Sequence, residues 1–288
     1  MFKFKIPIPT KKIAVLMAIC VFGLIATHIF GQYYKNFVSN DGFLLKIIDK
    51  FDLDLEKNNL PTWYQSSTIL LGACLLAVIA FVKKNKQERD VRYWAFLSLT
   101  FLFLSADEAV SIHEQMTMPL RNGFDLHGFL FLSWVIPAGI AVFILFAAYF
   151  KFLFRLPSAT RWLLIAAGFV YLSGALGIEM INGNHLEANH FIATNPEIVG
   201  VTRFDYALLT ALEEFLEMSG IAIFIYALVG QLNSELNLAP AKEAISDVAE
   251  TKFSAPVLVK KVQTLDFDKG NYVQVGITDK RNRQPQLG

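Results

Sequence analysis

The sequence has few charged residues, few cysteines and no surplus of charge of one sign. Charged residues make up 18% of the chain, whereas an average soluble domain has about 25%. The net charge of +1 gives no basic surface for nucleic acid. The two cysteines, Cys20 and Cys74, lie in apolar runs and form no CxxC pair. These absences exclude a nucleic-acid-binding protein, thiol redox chemistry and an ordinary soluble domain.

Hydrophobic residues make up 54% of the 288 residues and are concentrated in long runs. A helix needs roughly 20 consecutive apolar residues to cross a bilayer. Runs that approach this length lie near residues 13–30, 63–82, 93–112, 128–150, 162–181 and 206–228. Aromatic residues such as Tyr33, Trp63 and Trp162 stand at their ends, as is typical of spanning helices. The sequence therefore predicts an all-α polytopic membrane bundle of about six transmembrane helices over residues 1–230.

The basic residues of the connections are unevenly distributed. The N-terminal tail and the second and fourth connections contain Lys3, Lys5, Lys11, Lys12, Lys83, Lys84, Lys86, Arg89, Arg92, Lys151, Arg155 and Arg161. The other three connections are longer but contain only Lys35, Lys46, Lys50, Lys57, Arg121 and Arg203. Cytoplasmic loops carry the excess of Lys and Arg in membrane proteins. We therefore expect a multi-pass protein of the cell (inner) membrane with both termini in the cytoplasm.

The first outer connection contains an amphipathic pattern between residues 43 and 55. Leu44, Ile48, Phe51 and Leu55 recur at helical spacing, and charged residues fill the positions between them. A helix of this kind lies either in the membrane surface or against the protein, and the sequence favours neither arrangement.

The composition changes after residue 230. Residues 231–288 are polar, and the segment begins with a stretch rich in Pro and Ala. A sequence of this composition buries little apolar surface. It predicts a cytoplasmic, mostly flexible tail, to which we assign no catalytic role.

Acidic residues interrupt the third, fifth and sixth runs. They are Asp107, Glu108, Glu179, Glu213, Glu214 and Glu217. A charge inside a spanning helix costs about 2.5 to 3.5 kcal/mol, and these three runs contain no Lys or Arg to compensate it. Because the acids fall at similar depths in the outer half of the membrane, we expect them to meet in a common polar interior. Gly174 and Gly177 precede Glu179 and would allow the helices to approach closely.

Carboxylates this close without basic partners are tolerated if they share protons or if they bind a cation. With one nearby histidine, the first interpretation is a cation site. The expected metal ligands are Asp107, His113, Glu114, Glu179, Glu213 and Glu217. Ligands of these types suit iron, manganese, zinc or calcium. We expect Asp107, Glu108 and His113 to be the catalytic residues, acting as acids or bases. Glu214 projects about 100° away from Glu213 on a helix, so we expect it to matter less than Glu213 if only one face of the helix lines the site.

Other polar residues at the outer face could hold a substrate. Arg121 and Arg203 suit an anionic headgroup, although their positions equally suit snorkelling or a pair with Asp125 or Asp205. Tyr206 and Thr210 continue the polar stripe of the sixth run. The first interpretation is a metal-dependent membrane enzyme, a hydrolase or an oxidoreductase, that acts on a membrane lipid or lipid-linked substrate. A cation or proton-coupled transporter is the alternative. A third possibility is a non-catalytic accessory protein whose acids cap the site of another membrane subunit.

Overall fold

The computed structural model describes residues 8–38, 42–53, 59–189 and 204–236. Within these ranges the chain is helical and contains no strand, so the predicted all-α fold is confirmed. Leu55 and Arg203 lie outside the described residues, as does nearly all of the predicted tail at 231–288.

Six helical segments in the described ranges are long and apolar enough to cross a membrane. They are α1 (Thr10–Phe37), α3 (Leu60–Asn85), α4 (Val91–Val110), α6 (Val135–Leu153), the composite Ser158–Ala188 and α9 (Phe204–Glu235). The composite segment consists of α7 (Ser158–Leu172), a π-helical segment (Ser173–Ile178) and α8 (Glu179–Ala188). The connections contain two short helices, α2 (Phe43–Ile48) and α5 (Thr117–Phe124). Short 3-10 turns lie at Asp49–Phe51, Glu114–Met116 and Gly128–Leu130. The protein is therefore a multi-pass membrane protein.

The fourth span begins later than the sequence predicts. The prediction starts it near residue 128, but α6 begins at Val135. Gly128 has a φ of 61°, in the left-handed region that favours glycine. Its backbone N–H donates to the Glu187 carboxylate. Residues Gly128–Leu130 therefore form a separate turn, which is attached to the end of α8.

Helix α9 lies at the centre of the bundle, where it packs against α1, α3, α7 and the π-helical segment. In its most apolar stretch of 18 residues, 61% of the stretch is buried, whereas the share is 17% in the corresponding stretches of α4 and α6. Large apolar side chains such as Phe81, Phe143 and Phe169 remain 63–74% exposed. Apolar patches of this kind on a spanning helix are the surface expected to face lipid.

Two glycines allow the fifth span to lie directly against α9. A Cβ on Gly220 would come within 2.7 Å of the backbone nitrogen of Tyr171, and a Cβ on Gly174 would come within 2.7 Å of the carbonyl oxygen of Glu213. The close approach predicted at Gly174 is confirmed. Gly177 has no neighbour within 4 Å of such a Cβ, so the prediction for that residue is wrong.

The connection between α1 and α3 packs on the protein. Asp52, 4% exposed, accepts hydrogen bonds from Lys35 at 2.5 Å and from Gln32 at 2.8 Å. The backbone N–H of Leu53 donates to His28 Nδ1 on α1 at 3.1 Å. Burial alone would raise the pKa of Asp52, but its contacts with His28 and Lys35 lower it to about 2. Of the two arrangements that the sequence left open, the described residues 42–53 adopt the one against the protein.

The two ends of the described chain meet. The side chain of Asn233 donates to the carbonyl of Ile8 at 2.9 Å and accepts from its N–H at 3.0 Å. Near this contact, Glu235 forms ion pairs with Lys83 at 2.6 Å and Lys86 at 3.0 Å. The beginning of α1 and the end of α9 therefore lie at one end of the bundle, which we call the basic end.

Candidate functional site

The acidic residues of three spans come together at the other end of the bundle. This acid cluster consists of Asp107, Glu108, Glu179, Glu213, Glu214 and Glu217. The charged neighbours of Glu213 are Glu179, Glu217 and Glu214, and those of Glu217 include Glu108. Helices α4, α8 and α9 thus direct their carboxylates to one place, as expected from their similar depth in the sequence.

Two buried amides hold two of these carboxylates. Gln65 Nε2 on α3 donates to Glu217 Oε2 at 2.7 Å, and Asn182 Nδ2 on α8 donates to Glu213 Oε2 at 2.5 Å. Both amide side chains belong to residues that are 1% exposed. Their carbonyl oxygens, Gln65 Oε1 and Asn182 Oδ1, are buried and have no hydrogen-bond partner in the described part of the chain. Such unpartnered oxygens are rare in folded proteins and indicate an additional ligand, such as a water molecule or an ion.

Two further carboxylates are held by the connection between α4 and α6. Trp134 Nε1 donates to Glu179 Oε1 at 2.8 Å. Asp107 accepts from the backbone N–H of His113 at 2.9 Å, and its second oxygen lies 2.8 Å from His113 Nδ1. The rings of His113 and Trp134 are in contact, with their centroids 4.3 Å apart. The two acids therefore share one continuous group of supporting side chains.

The charge of His113 is determined by its acidic surroundings. Burial would lower the pKa of this imidazole, but the hydrogen bond with Asp107 and the charges of Asp107 and Glu114 raise it above the ordinary value. Asp107 thus fixes the orientation of the ring and favours its protonated form.

The π-helical segment places Glu179 in the cluster. A π turn contains more residues than an α turn and is frequent at functional sites. In this chain it ends at Ile178, directly before Glu179. Glu179 and Asn182 are three residues apart on α8 and therefore share one face. The same short helix supplies both a carboxylate and the amide that holds Glu213.

The remaining predicted residues surround this site without joining the six acids. Glu114 is exposed and is a charged neighbour of Glu108. The ring of Tyr206 stacks on His185 with centroids 6.2 Å apart. Thr210 is 7% exposed, and its hydroxyl has no hydrogen-bond partner among the described residues.

The sequence reasoning missed several residues of the site. It gave Glu214 a smaller role than Glu213 on the basis of its helical angle, whereas the charged neighbours of Glu214 are Glu108 and Glu179 of the cluster; its role stays a prediction. It also missed Tyr171, whose charged neighbours are acids of the cluster. Gln65 and Asn182 could have been identified from the sequence, because each is an uncharged polar residue in or directly after an apolar run.

No ready metal centre is formed in the described ranges. Among those residues, no three His, Cys, Asp or Glu side chains are placed to hold an ion. Glu217, Glu213 and Glu179 are instead turned towards the amide and indole donors described above.

The polar interior ends at Glu217. The next buried polar residue along the described α9 is Gln231, which lies about 21 Å further along the axis at 1.5 Å per residue. The side chains buried between them include Met218, Ile221 and Leu228, and none is polar. The acid cluster is thus separated from the basic end by apolar packing.

One comparison with known proteins gives a match. Residues 13–232 match a family described as "Domain of unknown function (DUF8692)", and this range includes most of the helical bundle. No curated protein and no solved structure matches the chain.

Proposed function

The chain belongs to the DUF8692 family, and we propose that it is a divalent-cation-dependent membrane enzyme that acts on a lipid or lipid-linked substrate. The observation that carries this proposal is the pair of buried amide oxygens, Gln65 Oε1 and Asn182 Oδ1, that have no partner in the described residues. Each belongs to an amide that already holds a carboxylate of the acid cluster. Buried carboxylates beside unpartnered neutral oxygens form a surface that attracts a cation.

The ligand chemistry favours a hard cation. Carboxylate and amide oxygens suit magnesium, calcium or manganese, and an added imidazole also suits iron or zinc. A divalent ion would compensate the charge of neighbouring acids such as Glu213 and Glu217, which form no ion pair with Lys or Arg in the described ranges. Without such compensation, several neighbouring carboxylates are costly in a membrane interior.

Small rotations of the carboxylate groups would allow the site to bind an ion. The terminal torsion of a Glu side chain is broad, so its carboxylate turns at low cost. The amides of Gln65 and Asn182 hold Glu217 and Glu213 through one oxygen each. We assign these amides as positioning residues, because hydrogen bonds of this kind orient the ligands of metal sites. Binding of the ion would then also give partners to the amide oxygens.

His113 is the candidate acid or base. Asp107 engages its Nδ1 atom, an arrangement that orients a histidine for use of its other ring nitrogen. Nε2 is then the atom that exchanges a proton with the substrate, or that binds the ion after the ion has displaced its proton. A bound divalent ion activates water for hydrolysis, and a redox-active metal supports oxidation. The identity of the metal would decide between these reaction classes.

The packing favours an enzyme over a transporter. A transported cation needs a polar path on both sides of its binding site, whereas the buried side chains of α9 between Glu217 and Gln231 are apolar. A lipid, in contrast, needs access only from the side. Helix α6 contributes buried side chains at its ends alone, at Val135, Tyr149 and Phe152. Its central part therefore leaves a side of the bundle through which a lipid could reach the cluster.

Metal analysis of the detergent-purified protein tests the proposal. We expect a stoichiometric ion after loading with manganese, magnesium, calcium, iron or zinc, and a thermal midpoint that rises with its concentration. Glu213→Gln and Glu217→Gln should lower the metal content, because each removes a negative ligand. Glu88→Gln is the matched control, since Glu88 pairs with Lys83 at the basic end. Absence of a bound ion from the parent protein, or an unchanged content in both cluster variants, would overturn the proposal.

A further inference from the structure

Arg121 on α5 has an incompletely satisfied guanidinium group. Its carbon Cζ lies 4.0 Å from the ring centroid of Phe131, and Nη2 donates to the sulfur of Met118. Nη1 is buried and has no hydrogen-bond partner in the described part of the chain. A buried charged donor without a partner is costly. This arrangement indicates a ligand with acceptor oxygens.

The acidic residue that Arg121 affects electrostatically, Glu187, is already engaged. Glu187 is within electrostatic range of Arg121, but one of its oxygens contacts His127 Nδ1 at 2.5 Å and the other accepts from the N–H of Gly128. No ion pair of Arg121 is found among the described residues. The guanidinium therefore remains available to an anion, and its planar array of donors matches the oxygens of a phosphate group.

Exposed apolar side chains lie within eight positions of Arg121 in the sequence. Met118 and Phe124 on α5 are 53% and 73% exposed, and Phe129 in the following turn is 54% exposed. A soluble phosphate compound has no apolar part that would cover these side chains. An amphiphile would place its phosphate on Arg121 and its acyl chains along them.

Arg121 contacts the chain segment from which Trp134 reaches the acid cluster. Phe131, on which the guanidinium stacks, precedes Trp134 by three residues. Trp134 in turn donates to Glu179 and contacts His113. A headgroup held by Arg121 would therefore lie against the chain segment that also carries Trp134.

We propose that Arg121 binds the phosphate of a phosphate-bearing lipid at the mouth of the acid cluster. This inference rests on the proposed function insofar as the lipid is the substrate of the enzyme. It adds the chemical class of that substrate and the residue that selects it. Binding at Arg121 itself needs no metal.

Lipid titrations of metal-free, detergent-purified protein test the proposal. We expect phosphatidylglycerol to bind the parent protein, with affinity measured from the thermal midpoint and from bound lipid in native mass spectra. Arg121→Gln should weaken this binding about tenfold, which is the effect of losing a charge-assisted hydrogen bond. Arg121→Lys should recover only part of the affinity, because an ammonium cannot make the bidentate contact.

Two kinds of control separate this site from general attraction to anionic lipid. Arg161 also stacks on aromatic rings, those of Phe154 and Trp162, but Arg161→Gln should leave the affinity unchanged. Diacylglycerol with the same acyl chains should bind the parent and Arg121→Gln equally. Equal affinity of parent and Arg121→Gln for phosphatidylglycerol would overturn the proposal. Inorganic phosphate that binds as tightly as the lipid would also overturn it.

Metal analysis of the same preparations distinguishes the two proposals. Loss of phosphatidylglycerol binding in Arg121→Gln together with a metal-free parent would support the lipid site and overturn the enzyme proposal. A parent protein that binds metal, together with lipid binding that is unchanged in Arg121→Gln, would support the enzyme proposal and overturn the lipid site.

Discussion

Gln65 on α3 and Glu217 on α9 are joined by a hydrogen bond of 2.7 Å between Nε2 and Oε2. The residues are 1% and 9% exposed. The contact couples the two helices at the point where the polar interior of the bundle ends. In surroundings of this kind a carboxylate that loses its donor is left with an uncompensated desolvation cost.

A double-mutant cycle measures this coupling. Gln65→Leu should lower the free energy of unfolding by about 1 to 3 kcal/mol, because Glu217 loses its donor. In a protein that carries Glu217→Leu, the same change should cost much less, and thermal unfolding in detergent measures both. The effects of Gln65→Leu and Glu88→Gln should add, since these residues lie at opposite ends of the bundle. Simple additivity for Gln65 and Glu217 would show that the hydrogen bond contributes little.

The contact between the fifth span and α9 should tolerate no methyl group. Gly220→Ala brings a Cβ within 2.7 Å of the Tyr171 backbone, and we expect a loss of about 1 to 3 kcal/mol in stability from overpacking. Gly168→Ala on α7, in the fifth span, brings a Cβ that has no neighbour within 4 Å and should be neutral or slightly stabilising. Thermal midpoints of the two variants provide the comparison. A Gly220→Ala protein as stable as the parent contradicts the close packing.

The connection between α1 and α3 should give the protein a stability that depends on the charge of Asp52. The pKa of Asp52 falls from its usual value of 3.8 to about 2 on folding. The ionised form therefore stabilises the fold above the higher value, by about 2 kcal/mol, and the contribution is lost as the pH falls through the lower value. Asp52→Asn should unfold at a lower temperature than the parent at neutral pH, and the difference should shrink between about pH 4 and about pH 2. A difference that is constant over this range would exclude the titration of Asp52.

Glu214 tests whether the packed cluster or the angle on one ideal helix predicts the effect of this residue on metal content. Because Glu108 and Glu179 are its charged neighbours, Glu214→Gln should reduce metal content about as strongly as Glu213→Gln. Metal analysis of the two purified variants measures this. Full metal content in Glu214→Gln would show that Glu214 does not contribute to the site, as the helical angle predicts.

The orientation in the membrane stays a prediction from the distribution of Lys and Arg. Reporter fusions after Lys57, Gly123 and Pro196 should be external, and fusions after Lys86 and Ser158 should be internal. The acid cluster would then open to the outside of the cell. A reversed pattern at two or more of these fusion points would place it at the cytoplasmic side.

The sequence by itself determined the fold class, the number of spans and the existence of an acidic interior. These features depend on local quantities: the length of an apolar run, the rise of a helix and the cost of a carboxylate in lipid. Asp107, Glu179 and Glu217 could thus be identified before any contact was known. The limits of the helices were predicted less accurately, as at Val135. A local sequence pattern does not show that a turn is held by a distant residue such as Glu187.

Only the tertiary structure decided which side chains meet. The rotation of each helix about its axis is set by packing, such as the close approach at Gly174 and Gly220. The π-helical segment before Glu179 also changes the angle at which later residues project. A wheel drawn on one ideal helix gives no information about which residues of other helices lie near Glu214, and no periodicity could pair Gln65 with Glu217 over 152 positions of sequence. Such contacts between separate helices are a property of the packed bundle, because their energy arises only when the helices are in place.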